Sequence, residues 1–377
     1  SYYAKIGVDQ LSSDTSAELV RAILDGGNVM PDLRDLILSR AAGNPFFMEE
    51  LTHNLLENGS ILKKDEQYVL RAKASDIQVP DTIQGIIAAR LDRLEEGLKR
   101  IMQVASVIGR EFAFRILNAI TEMKEDLKSN LVNLQGLEFI YEKSLFPELE
   151  YIFRHALSQE VAYNSLLLNR RKAIHEKIGN AIEELSPDRL EEFYEMLAYH
   201  YAKSDDISRA CRYLKLSGDK ARKAFSTLEA FEFYNEAAKL LRNQPDDHEN
   251  RRLRLAAIQP MARLITVLGS PEGSFELLTE GERLANDLAN KKVLAHFQTA
   301  LGIFYLTSLG DPTKGREYVE KALGEGDLTG DTEIMIPAMA DLIKFSSLEG
   351  RNSSICQIAP KAIALIEKAH AELEHFN

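Results

Sequence analysis

Apolar positions recur at helical spacing along almost the whole chain. Residues 32–42 and 45–57 form two amphipathic runs, separated at Gly43-Asn44-Pro45, where glycine and proline both interrupt a helix. Between Gly59 and Pro80 the pattern changes. Ile61-Leu62, the polar stretch Lys63 to Gln67, and Tyr68-Val69-Leu70 predict a hairpin. Beyond Pro80, Ile83, Ile86, Ile87, Leu91 and Leu94 share one helical stripe. Leu98, Ile101, Met102, Ala105 and Ile108 make a second, which ends at Gly109. Two short helices are expected at 111–121 and 125–135, closed by Gly136. Phe139-Ile140-Tyr141 and Tyr151-Ile152-Phe153 then flank Ser144 to Glu148 and predict a β-hairpin.

Helices followed directly by a hairpin are the order of a winged-helix domain. From Leu190 onward the pattern is helix, short turn, helix. Tyr194–Lys203 and Ile207–Leu216 are expected to pair around Asp205-Asp206, and 220–226 to pair with 228–242. Tyr199, Ala202, Ala210, Tyr213 and Ala237 supply small and aromatic residues for helix contacts. Further turns at Leu268-Gly269, Leu309-Gly310 and Glu349-Gly350 follow one another at intervals of 41 and 40 residues. Paired helices with a period of roughly 34–41 residues predict a degenerate tetratricopeptide-like solenoid. The expected fold is mainly α. It has a helical block over 1–57, a hairpin plus winged-helix domain and following helix over 58–185, and helical repeats over 186–377.

A length of 377 residues suits two or three such domains, and 45% apolar content can bury a sizeable core. The net charge of −12 gives no general attraction to nucleic acid or anionic membrane. No apolar run approaches the roughly 18 residues of a membrane span, and no signal peptide is evident, so a cytoplasmic location is expected. Cys211 and Cys356 lack the spacing of a disulfide framework or zinc site. The sequence opens at Ser1 without Met, and Ser1 to Gln10 shows no helix-start signal. The expectation is a piece of a longer polypeptide.

Catalytic chemistry is not evident. A phosphate-cradling loop needs a glycine-rich turn followed by lysine, and none of the 21 glycines precedes one. Gly310-Asp-Pro-Thr-Lys-Gly315-Arg-Glu has the glycine spacing but places Arg316 and Glu317 where Lys and Ser/Thr belong. His53, His155, His175 and His200 are not spaced as ligands on a shared helix face, so no metal is expected. Glu49-Glu50, Glu95-Glu96 and Glu191-Glu192 read as solvated helix faces. The helix over Glu125–Gln135 carries one Lys against two acids, which argues against nucleic-acid binding. Arg170, Arg171 and Lys172, with His175 and Lys177, form the one concentrated basic stretch, a solvated face or else an anion or partner surface.

Gly43-Asn-Pro-Phe-Phe-Met-Glu-Glu-Leu51 resembles a segment of signal-transduction ATPases with numerous domains (STAND). Within them it is most similar to the region often fused to bacterial class III adenylate/guanylate cyclases. Val79-Pro-Asp-Thr-Ile, Ala89-Arg-Leu-Asp-Arg-Leu94, Ala105-Ser-Val-Ile-Gly-Arg-Glu-Phe112 and Phe153-Arg-His-Ala-Leu are similar to the blocks that follow. The resemblance covers residues 35–185. It implies that 1–57 end a helical lid, with a P-loop domain and often a cyclase domain upstream, and that 186–377 form a sensor array. It implies a non-catalytic regulatory chain without cofactor, ATP or ADP with Mg in the parent protein, and a protein or peptide ligand on the repeats. In such proteins a lid proline packs against adenine and a histidine after the wing contacts the ADP β-phosphate. Pro45 and His155 match those positions, although His155-Ala156 stands where the family has His-Asp. As plainer roles, Pro45 breaks a helix and His155 caps or packs at a strand-to-helix junction. A transcription regulator of the same family and a stand-alone scaffold are the alternative functions.

Overall fold

The computed structural model describes residues 9–122, 124–146 and 148–374, so the expectation for Ser1 to Gln10 falls mostly outside the described residues. The chain divides into two compact units, with the boundary between Leu185 and Ser186.

The first unit opens with α1 (Ser13–Ile23), β1 (Asn28–Val29), α2 (Pro31–Ala41), α3 (Pro45–Glu57), β2 (Ile61–Lys64) and β3 (Gln67–Leu70). Ser12 starts α1 by accepting the Thr15 N–H at 3.3 Å. Asn44 starts α3 by accepting the Phe47 N–H at 3.1 Å, and Pro45 occupies the first helical position, where a missing N–H costs nothing. Asp65 and Glu66, both at positive φ, make the two-residue turn of the expected hairpin. β3 also pairs in parallel with β1, giving the order β1-β3-β2. Val20, Leu33, Ile37, Met48, Leu51 and Leu55 are fully buried between α1, α2 and α3.

The unit continues through α4 (Ile83–Arg93), α5 (Glu96–Ile108), β4 (Glu111–Ala113), α6 (Phe114–Ile120), α7 (Leu127–Gly136), β5 (Ile140–Ser144), β6 (Glu150–Phe153), α8 (Ala156–Asn164) and α9 (Leu168–Leu185). The hairpin β5–β6 lies where the apolar triplets fall. The helix expected from 111 begins only at Phe114, because Glu111-Phe112-Ala113 pair with Ile152, Tyr151 and Glu150 as an edge strand. Phe112 drives that pairing: it is buried between the rings of Tyr151 and Phe153, at 5.8 and 5.6 Å.

The second unit is a solenoid of α10 (Tyr194–Ala202), α11 (Ile207–Lys223), α12 (Thr227–Arg242), α13 (His248–Ile258), α14 (Met261–Val267), α15 (Ser274–Asp287), α16 (Lys291–Thr307), α17 (Pro312–Thr329), α18 (Thr332–Leu348) and α19 (Asn352–Glu374). Most successive helices pack on one another, α15 packs on α13 rather than on α14, and α12, α14, α16 and α18 also pack in sequence as one layer. Asp206, Asp247, Asn290, Asp311 and Asp331 cap the following helices through their side-chain oxygens. Gly269, Gly310 and Gly350, all at positive φ, follow α14, α16 and α18, so the recurring turn marks equivalent places in successive pairs.

One pairing differs from that expected. Helix α11 runs unbroken to Lys223, so 220–226 is not a separate helix and the pair is α11 with α12. Gly218 permits it: a Cβ there would lie 2.5 Å from the ring of Tyr234 on α12. Tyr199 is 50% exposed, whereas Ala210, Tyr213 and Ala237 are buried.

Candidate functional site

The start of α3 and the end of β6 meet in the first unit. The chain leaves β6 through Arg154 and His155, and His155 is the N-cap residue of α8 without making a side-chain cap bond. Phe46, next to Pro45, packs its ring on the His155 imidazole with centroids 4.0 Å apart. Of the two positions singled out by the resemblance, His155 thus packs on the residue that follows the other, Pro45. The His155 Nε2 is buried without a hydrogen-bond partner, 3.6 Å from the nearest Glu49 carboxylate oxygen. Burial holds the imidazole below its usual range. Glu49 and Glu50 pull upward less strongly, and Arg154 and Arg110 add to the depression. At neutral pH the ring is uncharged, with one N–H to give.

Around His155 the electrostatics are set by residues that the sequence pattern did not mark. Arg154 bridges the carboxylates of Glu49 on α3 and Glu138, and its guanidinium lies 5.4 Å from the centroid of the Tyr141 ring. Glu138 adopts positive φ at the turn into β5, and its carboxylate lies 3.1 Å from His53 Nε2. Glu49, His53 and Glu138 thus bring three donor groups within 4.8 Å of one another. The histidine spacings alone gave no sign of this grouping. Arg154 supplies its counter-charge.

The reading of Glu49-Glu50 as a solvated face is corrected. Glu50 is 3% exposed and accepts from Arg90 Nη1 at 2.7 Å. Arg90, 2% exposed, also donates Nε to Glu57 at 3.0 Å and Nη2 to the Leu137 carbonyl at 3.1 Å, and its guanidinium lies 4.7 Å from the Phe139 ring centroid. One guanidinium thus ties α3 and α4 to the α7–β5 connection. The acidic partners outweigh burial and raise its pKa further. Glu95, Glu96, Glu191 and Glu192 are exposed, as expected.

The basic stretch of α9 does not form one surface. Arg171 turns back to donate Nε to the Leu166 carbonyl at 3.1 Å and lies 4.9 Å from the Tyr163 ring centroid. His175 is buried against the Tyr163 hydroxyl, at 3.2 Å. Lys172 is half-buried, while Arg170 and Lys177 are exposed and line one small cleft with Arg100. In the second unit, Gly315 lies inside α17 with its face on α16 and Phe345, which removes any resemblance to a phosphate loop. His200 is buried. Among the described residues no helix is long and apolar enough to cross a membrane.

A family model described as a domain of unknown function (DUF8739) matches residues 12–68. An uncharacterized protein of Rhizobium meliloti (strain 1021) is 22% identical over 241 residues, which make up 63% of this chain and 23% of that protein. The chain therefore spans less than a quarter of that relative's length. Among solved structures, a STAND protein with a tetratricopeptide-repeat sensor from Pyrococcus horikoshii aligns with 96% of this chain and 61% of its own, at 12% identity and a TM-score of 0.34. Aspartyl phosphate phosphatase F from Bacillus subtilis aligns with 98% of this chain and 78% of its own, at 11% identity and a TM-score of 0.41.

Proposed function

We propose that this chain is the non-catalytic regulatory part of a STAND-type signal-transduction ATPase. Helices α1–α3 would complete the lid of an upstream nucleotide-binding domain, α4–α9 with the hairpin would form the winged-helix domain, and α10–α19 would be the tetratricopeptide-like sensor. The observation that carries this reading is the meeting of Pro45-Phe46 with His155. Phe46, which follows the proline matched to the adenine contact, packs on His155, matched to the phosphate contact, and the His155 Nε2 has no hydrogen-bond partner of its own.

Those residues fit ADP. A neutral imidazole can donate Nε2–H to a phosphate oxygen, and Arg154 already neutralises the neighbouring Glu49. Pro45, rigid at the start of α3, would present a fixed apolar face to the base. ATP or ADP with Mg would supply the switch by binding the upstream domain. The chain's own part is to close on the nucleotide in one state and release it in the other. The concave layer of the helix pairs would bind a protein or peptide signal. A nucleotide cyclase upstream is the proposed output.

The test uses the native full-length polypeptide. A charge-assisted hydrogen bond contributes about 1.5–3 kcal/mol, so His155→Ala should weaken ADP binding roughly 10- to 150-fold and raise basal output. Unchanged ADP affinity would sink the nucleotide-switch reading. Removing the second unit should abolish response to the signal and leave ADP binding intact.

A further inference from the structure

The basic stretch of α9 has a use that the proposed nucleotide switch does not absorb. Arg170 and Lys177 stand seven residues apart, two turns along one face of α9, and both line a cleft of about 120 Å³. Arg100 of α5 closes it from the other side, Thr121 at the end of α6 adds a hydroxyl, and Ile120 and Ile174 form an apolar floor. From this arrangement the geometry points to a binding site for a small phosphate-type dianion, either inorganic phosphate or a small phosphate monoester.

Three observations support this. The first is charge. In a chain of net charge −12, three cations from two helices converge on a cleft that contains one carboxylate, Glu122. The second is how loosely those cations are held. Arg100 pairs with Glu96 within α5 at 3.0 Å, both largely exposed, and Lys177 stands 3.8 Å from an 81% exposed Glu122. Exposed pairs of this kind contribute about 0–1 kcal/mol, so a dianion could displace them. No ion pair occupies Arg170 among the described residues. The third is donor chemistry. Two guanidinium groups can each offer a planar pair of N–H donors to phosphate oxygens.

The site lies on α5, α6 and α9, elements apart from the Phe46–His155 contact, so it stands or falls independently of the nucleotide reading. The test is calorimetric titration of the whole chain with inorganic phosphate and, separately, with glycerol 1-phosphate, at constant ionic strength set by chloride. Saturable binding of one equivalent is expected, weakened at least tenfold by Arg170→Gln and within twofold of the parent in Arg189→Gln, which removes an equal charge from the second unit. Arg170 is exposed, and an unchanged melting temperature would show that Arg170→Gln still folds. Stronger binding of the monoester would identify a phosphorylated metabolite as the source, and stronger binding of phosphate would identify the free ion. Absence of binding at 10 mM of either ligand (a roughly 3 kcal/mol limit), or equal weakening by both variants, would overturn the site.

Discussion

Arg90→Met tests the central electrostatic claim about the first unit. Arg90 and Glu50 are 2% and 3% exposed, and the guanidinium donates to Glu50, Glu57 and the Leu137 carbonyl. Methionine keeps much of the volume but leaves the Glu50 carboxylate in a dry site without a counter-charge. Breaking a buried pair from one side costs roughly 3–5 kcal/mol, whereas an exposed pair such as Arg189–Glu192 contributes less than about 1 kcal/mol. Hydrogen exchange of the α4 amides reads the difference directly. If their protection follows the opening of this unit, Arg90→Met should accelerate exchange roughly 150- to 5,000-fold. Adding Glu50→Gln removes the stranded charge and should recover at least half of the loss on a free-energy scale. If the double variant were as labile as the single one, the loss would come from packing and not from charge. Acceleration below tenfold in Arg90→Met would refute the reasoning altogether.

Other outcomes follow from local geometry. Gly315→Ala would place a Cβ 2.7 Å from the Gly302 carbonyl and 2.8 Å from the Phe345 ring, so α16 and α17 must separate; a loss of about 1–3 kcal/mol is expected, read by urea unfolding followed by circular dichroism. Gly324→Ala in the same helix meets nothing within 4 Å and should stabilise by up to about 1 kcal/mol; the same sign for both would show that helix propensity, not close approach, governs the position. His155 should titrate by NMR below its ordinary midpoint of about 6.5. The unfolded chain then takes up the proton first, so this group costs nothing above about pH 7, and stability falls as pH drops from about 6.5 towards the lower folded value; His155→Gln should flatten that slope. Burial pushes the Cys211 thiol up to about 11 while Cys356 is exposed, so iodoacetamide at pH 8 should label Cys356 and spare Cys211, as peptide mass spectrometry would show.

The fold was legible wherever one helical or strand period acts alone. The stripes of α4 and α5, the hairpins β2–β3 and β5–β6, and the glycine turns after α14, α16 and α18 all follow from local pattern. What escaped depends on partners distant in sequence. β1 is two residues long and exists only because β3 lies beside it, and β4 was read as helix because three residues cannot display a period of two. Gly218 lies between Leu216 and residue 220, where one helix was expected to end and the next to begin. It is a contact, and only Tyr234 on the next helix shows why glycine stands there.

The candidate site divides in the same way. Pro45 and His155 were found through motif residues, but the side chains that govern His155 were not, because acids on an amphipathic helix ordinarily face water. Helix α3 differs in being packed on more than one side, so consecutive glutamates point to different guanidinium groups: Glu49 to Arg154 and Glu50 to Arg90. These two pairs are unequal. The Arg154 pair is about one-fifth exposed on both partners, while the Arg90 pair is almost wholly dry. Water can replace each partner of Arg154 as the pair opens, and no water stands ready for Glu50. If α3 and β6 part during a nucleotide-driven switch, separation at Arg154 and His155 is therefore the cheaper movement. Arg90 would keep α3, α4 and the α7–β5 connection together as one body, which places any hinge on the His155 side of α3.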